Sequence, residues 1–325
     1  MQNTADAPTR PGARATAGDL VTRYRPAVAG GYLMLVAVVL LTTDRLDRPT
    51  ILVCALGGAV VVAWRNPHPW ARFVIDWMPL LVILVSYDVI RAQADSLIPR
   101  AHLEPQRTID RWLGGGTVPS VRLQDAYFRP NHLRWYDYTL FGIYLTHFVA
   151  AIVAGIALYV VNRERFRRFA KIFLAFSLAG YATYVVYPAI PPWLASREGA
   201  LPATTRAVHT IWDHLGLEFM EKVFSGNPRY SNPVGALPSE HAAYPLLFLL
   251  LFWGLSTKGW RVALVLYTLV MAFALVYLAE HYVTDILLGW IYAALAYVVV
   301  GRILDRRGAR REEHVFAAEP AVSRA

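Results

Sequence analysis

The stretch LAEHYVTDILLGW, Leu278 to Trp290, places Glu280, His281 and Asp285 between two strongly apolar runs. Ionisable side chains are costly inside a membrane and usually mark function there. The runs on either side, 260–279 and 282–301, each have the length of about 20 apolar residues that a membrane-spanning helix requires. The stretch therefore predicts a tight turn between two membrane helices, with chemically active side chains at one membrane face.

The composition of the whole chain also predicts a membrane protein. Its 325 residues are 56% hydrophobic and only 17% charged, whereas about a quarter of the residues in soluble domains are charged. The net charge of +9 does not indicate nucleic-acid binding, because the basic residues fall in short clusters between apolar runs. The single cysteine, Cys54, excludes an intrachain disulfide and argues against a cysteine-based metal site.

The apolar runs predict an all-α, polytopic integral membrane helical bundle. Eight candidate membrane helices are found, at 27–43, 50–64, 73–91, 138–161, 169–187, 242–257, 260–279 and 282–301. They divide the chain into a disordered tail (1–26), two accessory helices (27–72), a six-helix catalytic core (73–301) and a charged, unstructured tail (302–325). The core contains two long loops, 92–136 and 188–241, and loops of that length are usually functional or disordered.

The basic clusters set the expected orientation. The connection NRERFRRFAK (162–171), the link STKGWR (256–261) and both tails should be cytosolic, so the two long loops should be extracytoplasmic. The first of these loops also contains many arginines, and parts of it are expected along the membrane surface. Arg-rich, Ala-rich and Lys-poor usage suggests a bacterium of high genomic GC content. We therefore expect a plasma-membrane protein with an outward-facing site.

Three polar clusters reach the same extracytoplasmic face in this topology. YPAIPPW (187–193) follows one helix, GALPSEHAAYP (235–245) opens the next, and HYVTD (281–285) opens the last. The spacing of His281 and Asp285 puts them on one helical face, where the carboxylate fixes the ring tautomer and leaves the other nitrogen free as a nucleophile or base. The structural alternatives are a self-satisfied His–Asp pair, an ordinary capped helix, and prolines that only shape a loop.

The PSEHA cluster predicts an anion site at a helix start. Ser239 is the expected N-cap, and the free N–H groups of a first helical turn bind phosphate. His241 in this turn suits an acid that protonates a leaving oxygen. Tyr187 is a further candidate to hydrogen-bond a phosphate oxygen. We interpret Glu240 as a solvated neighbour, and we expect an interfacial helix near 208–224.

PSEHA followed some forty residues later by HYVTD resembles the type 2 phosphatidic acid phosphatase superfamily, whose second and third motifs are PSxH and HxxxD. The upstream YPAIPPW resembles the branch that contains fungal inositol phosphorylceramide synthase. The resemblance covers 73–301. It implies that His281 attacks phosphorus, that Asp285 holds its ring, and that His241 acts as acid and then as base.

One position departs from the family pattern. Ordinary phosphatases have a phosphate-binding arginine six residues before the final histidine, and here that position is Leu275. The cations must therefore come from elsewhere, and the candidates are Arg91, Arg197, Lys222 and Arg229. His147 lies several turns below the outer face and is interpreted as a buried packing or hydrogen-bonding residue.

The expected function is a lipid phosphotransferase of the inositolphosphotransferase type, with no metal and no cofactor. Its partners are a membrane lipid phosphate and a lipid or polyol acceptor. If the acceptor is water, the same residues make a lipid phosphate phosphatase. Two other classes are left open. One is a metallo-hydrolase whose ligands are His241, His281, Asp285 and a glutamate, Glu240 or Glu280, and the other is a non-enzymatic transporter or assembly subunit. The oligomeric state is also open.

Overall fold

The computed structural model describes scattered helical positions between 27 and 61, residues 69–216, and residues 232–318, with side chains in the last range as far as 310. The chain divides into two compact units, 1–75 and 76–325. The predicted helices at 27–43 and 50–64 fall mostly outside the described residues. The three polar clusters all belong to the second unit.

Helices make up most of the part of the chain that the structure describes. In chain order they are α1 (Pro69–Arg91), α2 (Ala94–Leu97), α3 (Gln106–Leu113), α4 (Pro119–Tyr127), α5 (Trp135–Val161), α6 (Arg163–Val186), α7 (Pro192–Arg197), α8 (Ala207–His214), α9 (Glu240–Phe252), α10 (Lys258–Tyr277) and α11 (Val283–Ala318). Two 3-10 turns, Ile98–Arg100 and Trp253–Leu255, follow α2 and α9. Helices α1, α5, α6, α10 and α11 are long and apolar enough to cross a membrane, and α9 is a shorter apolar helix.

The predicted all-α membrane bundle is confirmed, with a helix at each of the six apolar runs of the core. The largest difference is at the end of α11, which continues to Ala318 where a charged, unstructured tail was expected. Arginine, alanine and glutamate dominate that extension and are good helix formers. The next proline after Pro245 is Pro320, so no proline interrupts the helix before Ala318.

Polar side chains define where the long helices begin. Asn162 accepts a hydrogen bond from the Arg165 N–H at 2.9 Å at the start of α6. Thr257 accepts one from the Trp260 N–H at 3.4 Å at the start of α10. These N-caps satisfy backbone donors that have no partner within the helix, so the helix boundaries follow from the local sequence.

The basic residues that set the expected orientation lie at the end of the bundle opposite His281. Arg163 and Arg167 both bind Asp76, and Arg168 binds Asp305 near the end of the membrane-spanning part of α11. Pairing with acidic groups from other helices joins α1, α6 and α11 at this end.

Helix α11 comes unusually close to the start of α9. The Ser239 N–H donates to the Asp285 carbonyl oxygen at 3.0 Å. A Cβ atom at Gly289 would lie 2.3 Å from the Ser239 carbonyl oxygen, well inside van der Waals contact. Because the obstructing atom belongs to the backbone, only glycine fits at this position, and the PSEHA and HYVTD segments touch directly.

The first prediction concerns this approach. Gly289→Ala should lower the free energy of unfolding by about 1–3 kcal/mol, since an inserted methyl group forces the two helices apart. Gly142→Ala in α5 is the control, because no atom lies within 4 Å of a Cβ there. Thermal unfolding of both variants in detergent gives the comparison. Equal stability of the two would show that the contact between α9 and α11 is not tight.

Candidate functional site

His281 lies in the turn between α10 and α11, just before the helix that contains Asp285. The expectation that both residues share a helical face is wrong, because α11 begins at Val283. They still meet: Nδ1 of His281 is 3.5 Å from Oδ2 of Asp285. The carboxylate bends back towards the turn, since the same oxygen accepts a hydrogen bond from the Tyr282 N–H at 2.9 Å.

A backbone carbonyl fixes the orientation of the His281 ring. Its Nδ1 is 2.9 Å from the carbonyl oxygen of Ala236. A carbonyl oxygen can only accept, so Nδ1 carries the proton in this hydrogen bond and Nε2 of a neutral ring has a free lone pair. The ring is therefore held in the tautomer that a nucleophilic histidine needs.

The turn that presents His281 is closed by hydrogen bonds to one carbonyl group. The N–H groups of Glu280 and His281 both point to the Leu275 carbonyl oxygen, at 3.0 and 3.3 Å. Ala279 has φ of +60°, a left-handed conformation that costs a non-glycine residue about 1 kcal/mol. Leu275 itself is fully buried in an apolar cluster.

Asp110 in α3 caps the first turn of α11, and the sequence did not indicate this role. Its carboxylate accepts hydrogen bonds from the Val283 N–H at 2.8 Å, the Thr284 N–H at 2.9 Å and the Thr284 hydroxyl at 2.6 Å. Burial raises the pKa of Asp110, against the lowering effect of these hydrogen bonds. A residue of the loop 92–136 thereby positions the helix that carries Asp285.

His241 lies in the first turn of α9, and its ring centroid is 5.5 Å from that of His281. The predicted N-cap of α9 is confirmed, since the Ser239 hydroxyl accepts from the Ala242 N–H at 3.2 Å. The His241 ring stacks on Tyr144 and His147, with centroid distances of 5.1 and 3.9 Å. Its Nε2 is buried and makes no hydrogen bond to any residue in the described ranges. That nitrogen is available to exchange a proton with a substrate.

His147 packs as expected, but at the level of the site and not several turns below it. The ring stacks on both His241 and Tyr244, the latter at 4.3 Å. The position of His147 along α5 did not predict its contact with His241, because that contact depends on how α9 packs against α5.

Glu240 is buried, so its interpretation as a solvated neighbour was wrong. Only 6% of the residue is exposed. The side chain points towards α6, where its Oε1 would lie 2.7 Å from a Cβ on Gly180. The Tyr244 hydroxyl donates to its other oxygen at 3.4 Å. Glycine at position 180 makes the room for this carboxyl group.

The segment YPAIPPW is joined to two other segments by backbone hydrogen bonds. The Ala189 N–H donates to the Val234 carbonyl oxygen, and the His102 N–H donates to that of Pro188, both at 2.8 Å. The Tyr187 hydroxyl donates to the Glu104 carbonyl oxygen at 2.7 Å. The donor that we expected to reach a phosphate is thus engaged with the protein, and the segment holds in place the chain that presents Ala236 to His281.

The candidate phosphate-binding cations have different surroundings. Arg91 is buried, binds Asp88 at 2.6 Å and lies over the Tyr87 ring. Arg197 is exposed and lies over Trp193. Lys222 and Arg229 lie outside the described residues, as does the second half of the helix expected at 208–224, of which α8 is the described part.

Arg206, which the sequence did not indicate as a site residue, is a half-buried cation paired with Glu280, the residue before the nucleophile candidate His281. Its guanidinium binds both carboxylate oxygens of Glu280, at 2.7 and 3.1 Å. Burial opposes the charge, but the negative charge and hydrogen bonds of Glu280 raise the pKa of Arg206 above its ordinary value. Its sequence signal was weak, because it is one of several arginines in a loop rich in proline and glycine.

The described residues contain no group of three or more histidine, cysteine, aspartate or glutamate side chains arranged to hold a metal ion. His241 and His281 lie with their ring centroids 5.5 Å apart, and Asp285 lies beside His281.

Comparison with known proteins places the chain in a family. A family model described as the PAP2 superfamily matches residues 108–299, more than half of the chain, and the protein belongs to that superfamily. A phosphoinositol dihydroceramide synthase of Bacteroides thetaiotaomicron is 26% identical over 240 residues, which are 71% of this chain and 77% of that protein. No solved structure matches.

The second prediction tests the Asp110 cap. Asp110→Ala leaves three donors at the start of α11 without their acceptor and should destabilise the protein by about 1–2 kcal/mol. It should also lower kcat, because the turn containing His281 loses its support. Asp125→Ala, at an exposed aspartate in α4, is the matched control. The unfolding temperature and the turnover of both variants are measured. If Asp110→Ala keeps the wild-type kcat, Asp110 does not position the turn that contains His281.

Proposed function

We propose that this member of the PAP2 superfamily is a lipid phosphotransferase that works through a phosphohistidine intermediate. The observation that carries the proposal is the geometry of the histidine pair. His281 has its Nδ1 proton engaged with Ala236, and its ring lies 5.5 Å from that of His241. One phosphoryl group bound next to both rings can contact both of them.

In the first step, Nε2 of His281 attacks phosphorus of the donor lipid in line with the departing oxygen. The N–P bond forms while the P–O bond to the lipid breaks. His241, which is protonated at the start of this step, gives a proton to the leaving oxygen and becomes neutral. The imidazole of His281 becomes positively charged as the N–P bond forms. Asp285, buried and 3.5 Å from Nδ1, stabilises that charge.

In the second step, His241 is neutral and acts as a base. It takes the proton of the acceptor hydroxyl, whose oxygen attacks phosphorus while the N–P bond breaks. His281 and His241 return to their initial protonation states. The backbone N–H groups at the start of α9, next to Ser239, bind the phosphate oxygens through both steps. Cations assist them, and the candidates from the sequence are Arg91, Arg197, Lys222 and Arg229. No metal takes part in this proposal.

The acceptor is proposed to be an alcohol, with inositol phosphate as the group transferred. This rests on the printed name of the Bacteroides relative, which is a synthase that joins phosphoinositol and dihydroceramide. A lipid phosphate phosphatase is the second candidate, because the PAP2 superfamily match does not itself select an alcohol over water. The two functions need the same histidines and differ only in the acceptor.

We further propose that the site opens to the extracytoplasmic side of a plasma membrane, with both termini cytosolic. The support is the basic cluster of Arg163, Arg167 and Arg168 at the end of the bundle opposite His281, since basic connections favour the cytosol. The proposed limits of the catalytic core are 73 and 301, with 27–72 as accessory helices.

The third prediction tests the intermediate. Wild-type protein in detergent, given phosphatidylinositol labelled at phosphorus and quenched early in alkali, should carry acid-labile, alkali-stable label. His281→Ala should carry none and should lose at least about a thousandfold in turnover. His132→Ala, at an exposed histidine before α5, should behave as wild type.

Two further arms use the same preparation. EDTA should leave label and turnover unchanged; turnover without label that EDTA abolishes would replace this proposal with a metallo-hydrolase. Replacing a ceramide-type acceptor with water should slow loss of the label in a transferase and leave it unchanged in a phosphatase. Neither label nor turnover with any lipid phosphate would favour a non-enzymatic protein.

A further inference from the structure

Contacts on three sides fix the position of Arg206 next to the turn that presents His281. Its Nε and Nη2 bind the two oxygens of Glu280, the residue immediately before His281. Its Nη1 lies 2.9 Å from Nε2 of His209, and its guanidinium stands 4.5 Å from the centre of the Trp193 ring. Only 15% of the arginine side chain and 9% of the glutamate side chain are exposed.

The backbone next to Arg206 is fixed by a separate contact. The Gln124 side chain accepts from the Thr205 N–H and donates to the Thr205 carbonyl oxygen, both at 2.8 Å. The same amide group donates to the Tyr277 carbonyl oxygen at 2.9 Å, at the end of α10. The loop that carries Arg206 is therefore tied to the turn on which His281 lies.

His209 acts as an acceptor in this arrangement. Because arginine has no acceptor, Nε2 of His209 must be unprotonated in its contact with Arg206. Burial and the charge of Arg206 both lower the pKa of His209, although Glu280 and Asp213 oppose this. The neutral ring orients the guanidinium and does not add a competing charge.

Two N–H groups of the guanidinium make no hydrogen bond to any residue that the structure describes. Arginine has five N–H groups, and the contacts to Glu280 and His209 use three of them. Glu280, which the guanidinium binds, immediately precedes His281 in the chain. An ion pair withdrawn from water is a weak source of stability, because desolvation offsets its attraction. The pairing of Arg206 with the residue before His281 therefore indicates a function in the site.

We infer that Arg206 binds the phosphate of the substrate, with Glu280, His209 and Trp193 as the residues that position it. This inference rests on the proposed function and names the cation of that site. A planar guanidinium held by a carboxylate presents its remaining N–H groups to phosphate oxygens, and charge-assisted hydrogen bonds of this kind are the strong ones.

The fourth prediction separates phosphate binding from a structural ion pair. Orthovanadate is the probe, and its binding to the full-length protein in detergent is measured by the shift in unfolding temperature. All variants carry His281→Ala, so the result does not depend on turnover. Arg206→Met should weaken binding at least about tenfold, but it also leaves Glu280 buried without its partner and can unfold the protein.

The double variant Arg206→Met with Glu280→Gln removes both charges together. We expect it to be about as stable as the parent, yet to bind orthovanadate at least about tenfold more weakly. Arg206→Lys keeps the charge opposite Glu280 and loses the planar fork, so it should fold but bind orthovanadate several-fold more weakly. If the double variant does not fold, Arg206→Lys provides the test in its place.

Arg107→Ala is the matched control, because Arg107 also pairs with a glutamate, Glu104, and also contacts the loop, at the Ala200 carbonyl oxygen. It should bind orthovanadate as the parent does. Parental affinity in the double variant or in Arg206→Lys, or no binding by the parent, would overturn the inference. A missing phosphohistidine on wild-type protein would instead remove the proposed function and leave the binding result intact.

Discussion

The hydrogen bond from the Ser239 N–H to the Asp285 carbonyl oxygen joins the PSEHA and HYVTD segments, although they are more than forty residues apart. It forms where α9 and α11 both begin, and Gly289 permits it because any side chain there would strike the Ser239 backbone. His241 follows one partner of this bond and His281 precedes the other. Backbone contact between the two helix starts thus brings together the chain positions that carry the two rings.

The polar segments outside the long helices complete this arrangement. Asp110 supplies three acceptors to the start of α11, and Ala236 supplies the carbonyl group that orients His281. Gln124 ties the loop of Arg206 to the end of α10. In a bundle whose helices are apolar, such contacts gather at the helix ends, where donors and acceptors without a helical partner are found. The candidate site lies at the helix ends because unpaired backbone donors and acceptors are found there.

Much of the fold followed from the sequence, and less of the site did. Apolar length predicted the core helices, and the Ser239 cap followed from local chemistry. The approach of His281 to Asp285 was predicted through the wrong geometry, because the helix starts after His281. Asp110, Arg206 and the burial of Glu240 depend on contacts between segments far apart in sequence, and no local pattern encodes which of several similar charged residues will be buried.

The central claim is that the phosphoryl group is bound covalently to His281 before it is transferred to the acceptor. The most direct measurement is the stereochemical course of transfer from a donor phosphodiester made chiral at phosphorus with oxygen isotopes or sulfur. Two successive in-line displacements each invert phosphorus, so this account predicts net retention of configuration in the product. Net inversion would mean that the acceptor attacks the donor lipid directly, and it would contradict the account.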